Sequence, residues 1–165
     1  MTVRPILLWP DKRLRVDAEP VEEITDEIRT IWEDMIDTMD AMPGIGLAAP
    51  QIGVSLRLAV VDVTPDRSRR IRMANPMIIS ASDELRSHDE ASPCLPGVSA
   101  KLKRPRKVAV RFLNENGVIM RRDFEDVEAT SVQHQIDHLN GRMFFHKLSK
   151  MKQDMLLRKA KKSKA

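Results

Sequence analysis

The run Val132-Gln133-His134-Gln135-Ile136-Asp137-His138-Leu139-Asn140-Gly141 constrains this chain more than any other segment. It reads as a helix, starting around Asp126 to Glu128, that ends at a glycine suited to a left-handed C-terminal position. Residues four apart on a helix lie one turn above each other, so His134 and His138 can aim two imidazoles at one ion. In His-Glu-x-x-His sites the Glu beside the first His takes a proton from metal-bound water. Here that position holds Gln135, whose carboxamide can hold a water but cannot accept its proton at neutral pH. Metal binding and catalysis therefore separate as questions.

A third donor has to come from elsewhere in the chain. The single cysteine, Cys94, sits in the turn-rich segment Ser92-Pro93-Cys94-Leu95-Pro96-Gly97, and a thiolate with two imidazoles suits Fe(II) or Zn. Three protein ligands leave a fourth position for water, as in catalytic sites. The blander alternative is that Cys94 is a small buried hydrophobe. One cysteine makes no internal disulfide, so an oxidising compartment gains this fold nothing.

With 165 residues and 42% hydrophobic content, one ordinary core is expected. No apolar run approaches membrane-spanning length, so a soluble, cytoplasmic protein is expected. The net charge of +4 is uneven: from Lys150 onward seven Lys or Arg face only Asp154, leaving the body slightly acidic. The chain thus divides into a domain over 1–149 and a basic helical tail over 150–165. That tail is either a solvated helix end or a contact for a polyanion such as ribosomal RNA. Specific DNA binding is not expected, since no nucleic-acid-binding signature is present.

Hydrophobic spacing predicts a helix capped by Thr25, with Ile28, Ile31, Trp32, Met35, Ile36 and Met39 in one buried stripe, stopping near Met42-Pro43-Gly44. Strands are expected over Leu56 to Val63 and Arg70 to Ile79. A hairpin is expected from Lys107–Leu113 and Val118–Phe124, turning at Asn114-Glu115-Asn116-Gly117. Ser149 can cap a last helix with Met151, Met155 and Leu156 on its inner side. The class is α+β, with small antiparallel sheets around the central histidine helix.

Across nearly its whole length the sequence resembles the peptide deformylase family. The resemblance rests on Pro10-Asp11 with Arg13-Leu14, the helix ending in Met39, Gly44-Ile45-Gly46-Leu47-Ala48-Ala49-Pro50-Gln51, the pair Cys94-Leu95, and His134 through Gly141. It implies an amide hydrolase, using one divalent ion, that removes the formyl group from N-formylmethionyl peptides. It further implies that Gln51 and the Leu95 amide N–H stabilise the developing oxyanion, that Cys94, His134 and His138 hold the ion, and that Asp137 has a structural role near it. Ile45, Gly46, Val127, Thr130 and Ser131 would line the pocket for the substrate's first side chain. Thr130 and Ser131 make that lining polar; they either satisfy helix carbonyls or mark altered substrate choice.

Two of the family's motifs are altered. Its Glu-Gly-Cys-hydrophobic-Ser motif is met by Ser92-Pro93-Cys94-Leu95-Pro96, with Glu90 nearby but out of register. Gln135 stands where the family has its general base. Three readings follow: a weakly active deformylase-like hydrolase, a silent member that binds formylated or Met-headed peptides or a partner, and a metalloprotease of another His-x-x-x-His family. The last is disfavoured by the upstream position of the cysteine.

Overall fold

A computed structural model describes residues 2–163. Thr25 caps helix α1 (Asp26–Ala41), its hydroxyl accepting from the Ile28 N–H, and Asp26 and Glu27 in the first turn complement the helix dipole. Two short strands, β1 (Gly46–Ala48) and β2 (Leu58–Val61), are followed by the long β3 (Ile71–Ala81). A separate ribbon pairs β4 (Leu85–Glu90) with β5 (Ala100–Pro105), and the hairpin β6 (Lys107–Leu113) and β7 (Ile119–Glu125) leads into helix α2 (Asp126–Leu139). Helix α3 (Lys150–Ser163) ends the described chain.

The main sheet has order β1-β2-β3-β6-β7 and is antiparallel throughout. Alternation along β2 explains why all four of its residues are buried. Leu58 and Val60 pack with the α1 stripe, while Ala59 and Val61 pack with Ala129, Val132 and Ile136 of α2. The sheet is thus covered by α1 on one face and α2 on the other. α2 therefore has one apolar side committed to the sheet, and its opposite side, carrying Thr130, His134 and His138, is free to build a site.

A third apolar cluster gathers Leu14, Cys94, Leu95, Val98, Leu102, Phe144, Phe145, Leu156 and Ala160. This corrects the expected inner face of α3. Leu156 and Ala160, one turn apart, enter the core, whereas Met151 and Met155 are 73% and 59% exposed. Both pairs have helical spacing, but the aromatic surface of Phe144 and Phe145 takes the later one. Ser149 does cap α3, through Lys152 N–H. The tail residue Lys164 lies outside the described residues. Among the described residues no helix is long and apolar enough to cross a membrane.

Candidate active site

The ribbon β4–β5 clamps the free face of α2. Residues 86, 88 and 90 share one face of β4 by the two-residue period, and each of Arg86 and Glu90 reaches one turn of α2. Arg86 Nη1 donates to Thr130 Oγ1 at 3.2 Å, and His134 Nδ1 is 2.8 Å from Glu90 Oε1. From β5, Arg104 Nη1 donates to Asp137 Oδ2 at 2.8 Å. Glu90 is the hub. Its two oxygens also receive Arg104 Nε and Nη2 and face His88 Nε2, so both are fully engaged in a buried network. Burial pushes the Glu90 carboxyl up, but the hydrogen bonds from His134 and Arg104 and the Arg104 charge outweigh it and hold the group well below the usual carboxylate range. Asp137 is thereby tied to the ribbon through Arg104.

His134 and His138 do converge, their Nε2 atoms 3.2 Å apart. Burial, followed by the His134 charge, keeps His138 well below the ordinary imidazole pKa, so its ring is neutral at pH 7. The expected third ligand is not with them. Cys94 is fully buried in the third apolar cluster, and burial pushes its thiol up despite a long contact from Gln51 Nε2 at 3.5 Å. Among the described residues no three His, Cys, Asp or Glu side chains are grouped to hold a metal.

The pocket instead receives Ser92, along with Gln51, Glu90, His134 and Gln135. A tight turn causes this: the Leu95 N–H donates to the Ser92 carbonyl at 3.0 Å and the Cys94 N–H to Ser92 Oγ at 3.2 Å. Two expectations are corrected together. Leu95 cannot offer its N–H to an oxyanion because the turn uses it, and its side chain packs in the core. Glu90 is not out of register either; with Glu90 as the first letter of the family's Glu-Gly-Cys-hydrophobic-Ser motif, Ser92 falls on the Cys and Cys94 on the Ser. The donor set of this chain, two imidazoles and a hydroxyl, does not fit the family's ion.

The pocket is a cavity of about 390 Å³ between α2, the end of the ribbon, and the Met42–Gly46 segment with Gln51. Ile45, Gly46, Thr130 and Ser131 are among its lining residues. Ser131 Oγ donates to the Ile45 carbonyl at 3.0 Å, so its hydroxyl ties α2 to the loop rather than serving the helix backbone. Gly46 permits this approach, since a Cβ there would meet Gln135 Nε2 at 2.4 Å. Val127 is not part of the lining. It lies two helical turns, roughly 10 Å, from His134 and faces a separate depression with Arg69, Lys107 and Phe124. Gln51 is oriented by its own backbone neighbour, its Oε1 accepting from the Ala48 N–H at 2.9 Å. Gln135 Oε1 is buried with no hydrogen-bond partner among the described residues.

Residue patterns alone did not single out Ser92, His88, Arg86 or Arg104. Only the two-residue spacing of Glu90 and Ser92 could have pointed to Ser92. The network makes a stability prediction. Replacing Glu90 by Ala leaves the buried Arg104 with only Asp137 as counter-charge and should cost about 3–5 kcal/mol in urea unfolding. Arg69→Ala, which breaks the half-exposed pair with Glu128, should cost about 1 kcal/mol or less. Equal costs would remove Glu90 from its place as hub.

A family model described as "Polypeptide deformylase" matches residues 3–154. The chain is 43% identical over 170 residues to the peptide deformylase of a Bradyrhizobium species, covering 99% of this chain and 97% of that one. It is also 43% identical over 162 residues to peptide deformylase 1 of Burkholderia multivorans, covering 98% and 90%. Among solved structures, the Legionella pneumophila peptide deformylase superimposes with a TM-score of 0.93 at 41% identity, covering 99% and 96% of the two chains. The Ehrlichia chaffeensis enzyme in complex with actinonin gives 0.93 at 37% identity, covering 99% and 98%. Peptide deformylases are metallohydrolases of protein maturation that use one divalent ion, Fe(II) or Zn. Fold, motif order and relatives agree over the full length, and the chain belongs to the peptide deformylase family.

Proposed function

We propose that the pocket binds the N-formylmethionyl end of nascent peptides and that formyl hydrolysis there is strongly reduced. The observation that carries this reading is Gln135 Oε1, a buried acceptor without a partner in the wall of the pocket. An unpaired buried acceptor costs about 1–3 kcal/mol, and a peptide N–H supplied by the substrate would recover it. As an amide, Gln135 orients such a group but does not carry its proton. A positioned acid or base contributes roughly 10²–10⁴-fold to rate. Gln51 remains in the lining as an oxyanion donor, while Pro93, the residue after Ser92, has no N–H to serve as the second. The donor set also favours a second reading, a family member that binds formylated or Met-headed peptides with no turnover.

A calorimetric titration with a formyl-Met tripeptide, with and without chelator, tests binding, and formate release tests turnover. Saturable binding is expected in both conditions. It should be weakened by Gly46→Ala, whose Cβ crowds Gln135. Formate release should be at least about 10²-fold below that of the Ser92→Cys, Gln135→Glu double variant. Absent binding, or an ordinary enzymatic rate in the unaltered protein, would contradict the reading; binding with no detectable formate would select the silent alternative.

We further propose that α3 associates with ribosomes in the cytoplasm, where formylated chains emerge. Arg158, Lys159, Lys161 and Lys162 are exposed on it while Leu156 and Ala160 face the core. Neutralising the three lysines to Gln should reduce ribosome co-sedimentation severalfold at low salt and leave little to lose at high salt. Unchanged co-sedimentation would refute this.

A further inference from the structure

We infer that Ser92 occupies the third donor position beside His134 and His138, and that this one hydroxyl, in place of a thiolate, keeps the pocket from holding a transition-metal ion tightly. The inference concerns ion binding and stands whether or not the pocket takes formylated peptides.

The position is set by Glu90. Its carboxylate is fixed on the Nδ1 edge of His134 by Arg104 and His88, so the chain leaves β4 at the histidine pair. Two residues later Ser92, 4% exposed, enters the same pocket as His134 and Gln135. The turn closed by Leu95 N–H on the Ser92 carbonyl then carries Cys94 away, and the Cys94 carbonyl is anchored by the Trp9 N–H at 2.9 Å. The thiol ends among Leu14, Val98, Phe144 and Phe145, where bringing it back would mean unpacking the core.

Among the described residues no third His, Cys, Asp or Glu side chain is grouped with His134 and His138 to hold an ion. Both oxygens of Glu90 are engaged by Arg104 and the flanking histidines, Asp137 is held by Arg104, and Gln51 Oε1 is held by Ala48 N–H. A thiol loses its proton to a divalent ion readily and the thiolate is a strong soft ligand. A serine hydroxyl stays protonated in ordinary protein sites and is a weak neutral donor. Relative to the family's motif, the Ser and Cys letters are exchanged across Pro93, which keeps both residue types while removing the ligand from the pocket.

The test compares the unaltered chain with Ser92→Cys, Cys94→Ser, the two combined, and Ser92→Asp, all purified anaerobically. Metal content after dialysis, zinc affinity by chelator competition, and the thiolate-to-cobalt absorption of Co(II)-loaded protein are measured. Ser92→Cys and the combined variant should hold about one ion per chain, with zinc affinity at least about 10²-fold above the unaltered protein. That bound follows because changes beyond the direct ligands already cost 10–100-fold. Both should show the cobalt–thiolate band. Ser92→Asp, an anionic donor at the same place, should also gain affinity, so the result does not hang on one variant folding. The unaltered chain and Cys94→Ser should behave alike and hold little metal. An ion held by the unaltered chain and lost in Cys94→Ser would make Cys94 the ligand and overturn the inference. So would a full ion in the unaltered chain indifferent to both changes, or no gain in any residue-92 variant.

Discussion

The buried carboxylate of Glu90 joins the two-stranded ribbon to the central helix. It sits at the end of one strand of a two-stranded ribbon, and through His134 and Arg104 it bonds both to the central helix and to the neighbouring strand. A ribbon of two strands is marginal alone. Here it is held by charge pairing over a helix face, and the pairing is satisfied on every oxygen, which is what makes a buried ionic group tolerable. The turn that follows inherits its position from this anchor, and with it the choice between serine and cysteine in the pocket.

That anchor works only because α2 is immobilised from behind. The main sheet takes Ala129, Val132 and Ile136 on one face and the α1 stripe on the other, so the helix cannot rotate to bring different residues forward. His134, Gln135 and Ser131 then face the loop that begins at Met42, and Gly46 lets the two backbones approach. The resulting pocket sits within a fold shared with peptide deformylases, and Ser92, Pro93 and Gln135 are in its wall.

Much of the fold was legible because its buried surfaces are apolar and periodic. The α1 stripe, the β6–β7 hairpin with Asn114 at its turn, and the i, i+4 histidines on α2 all follow from spacing. The strands β4 and β5 were missed for the opposite reason, since the face they bury carries Arg86, His88, Glu90 and Arg104 and gives no hydrophobic alternation. β1 is only three residues long and merges with a glycine-rich loop. The same blindness misplaced the site. Cysteine is the residue whose chemistry draws the eye, and only the hydrogen bonds of Glu90 reveal that Ser92 has taken its place. Val127 was implied by the family resemblance and the two methionines of α3 by helical spacing that several positions satisfy, and packing decided otherwise.

The thiol of Cys94 belongs to the core and not to the pocket. Its alkylation rate by iodoacetamide in the native protein measures this directly. Protection is expected: reaction only at the rate of opening of the third apolar cluster, unaffected by zinc or by a formyl-Met peptide. Rapid alkylation of folded protein, slowed by zinc or peptide, would put the thiol beside His134 and His138 and contradict it.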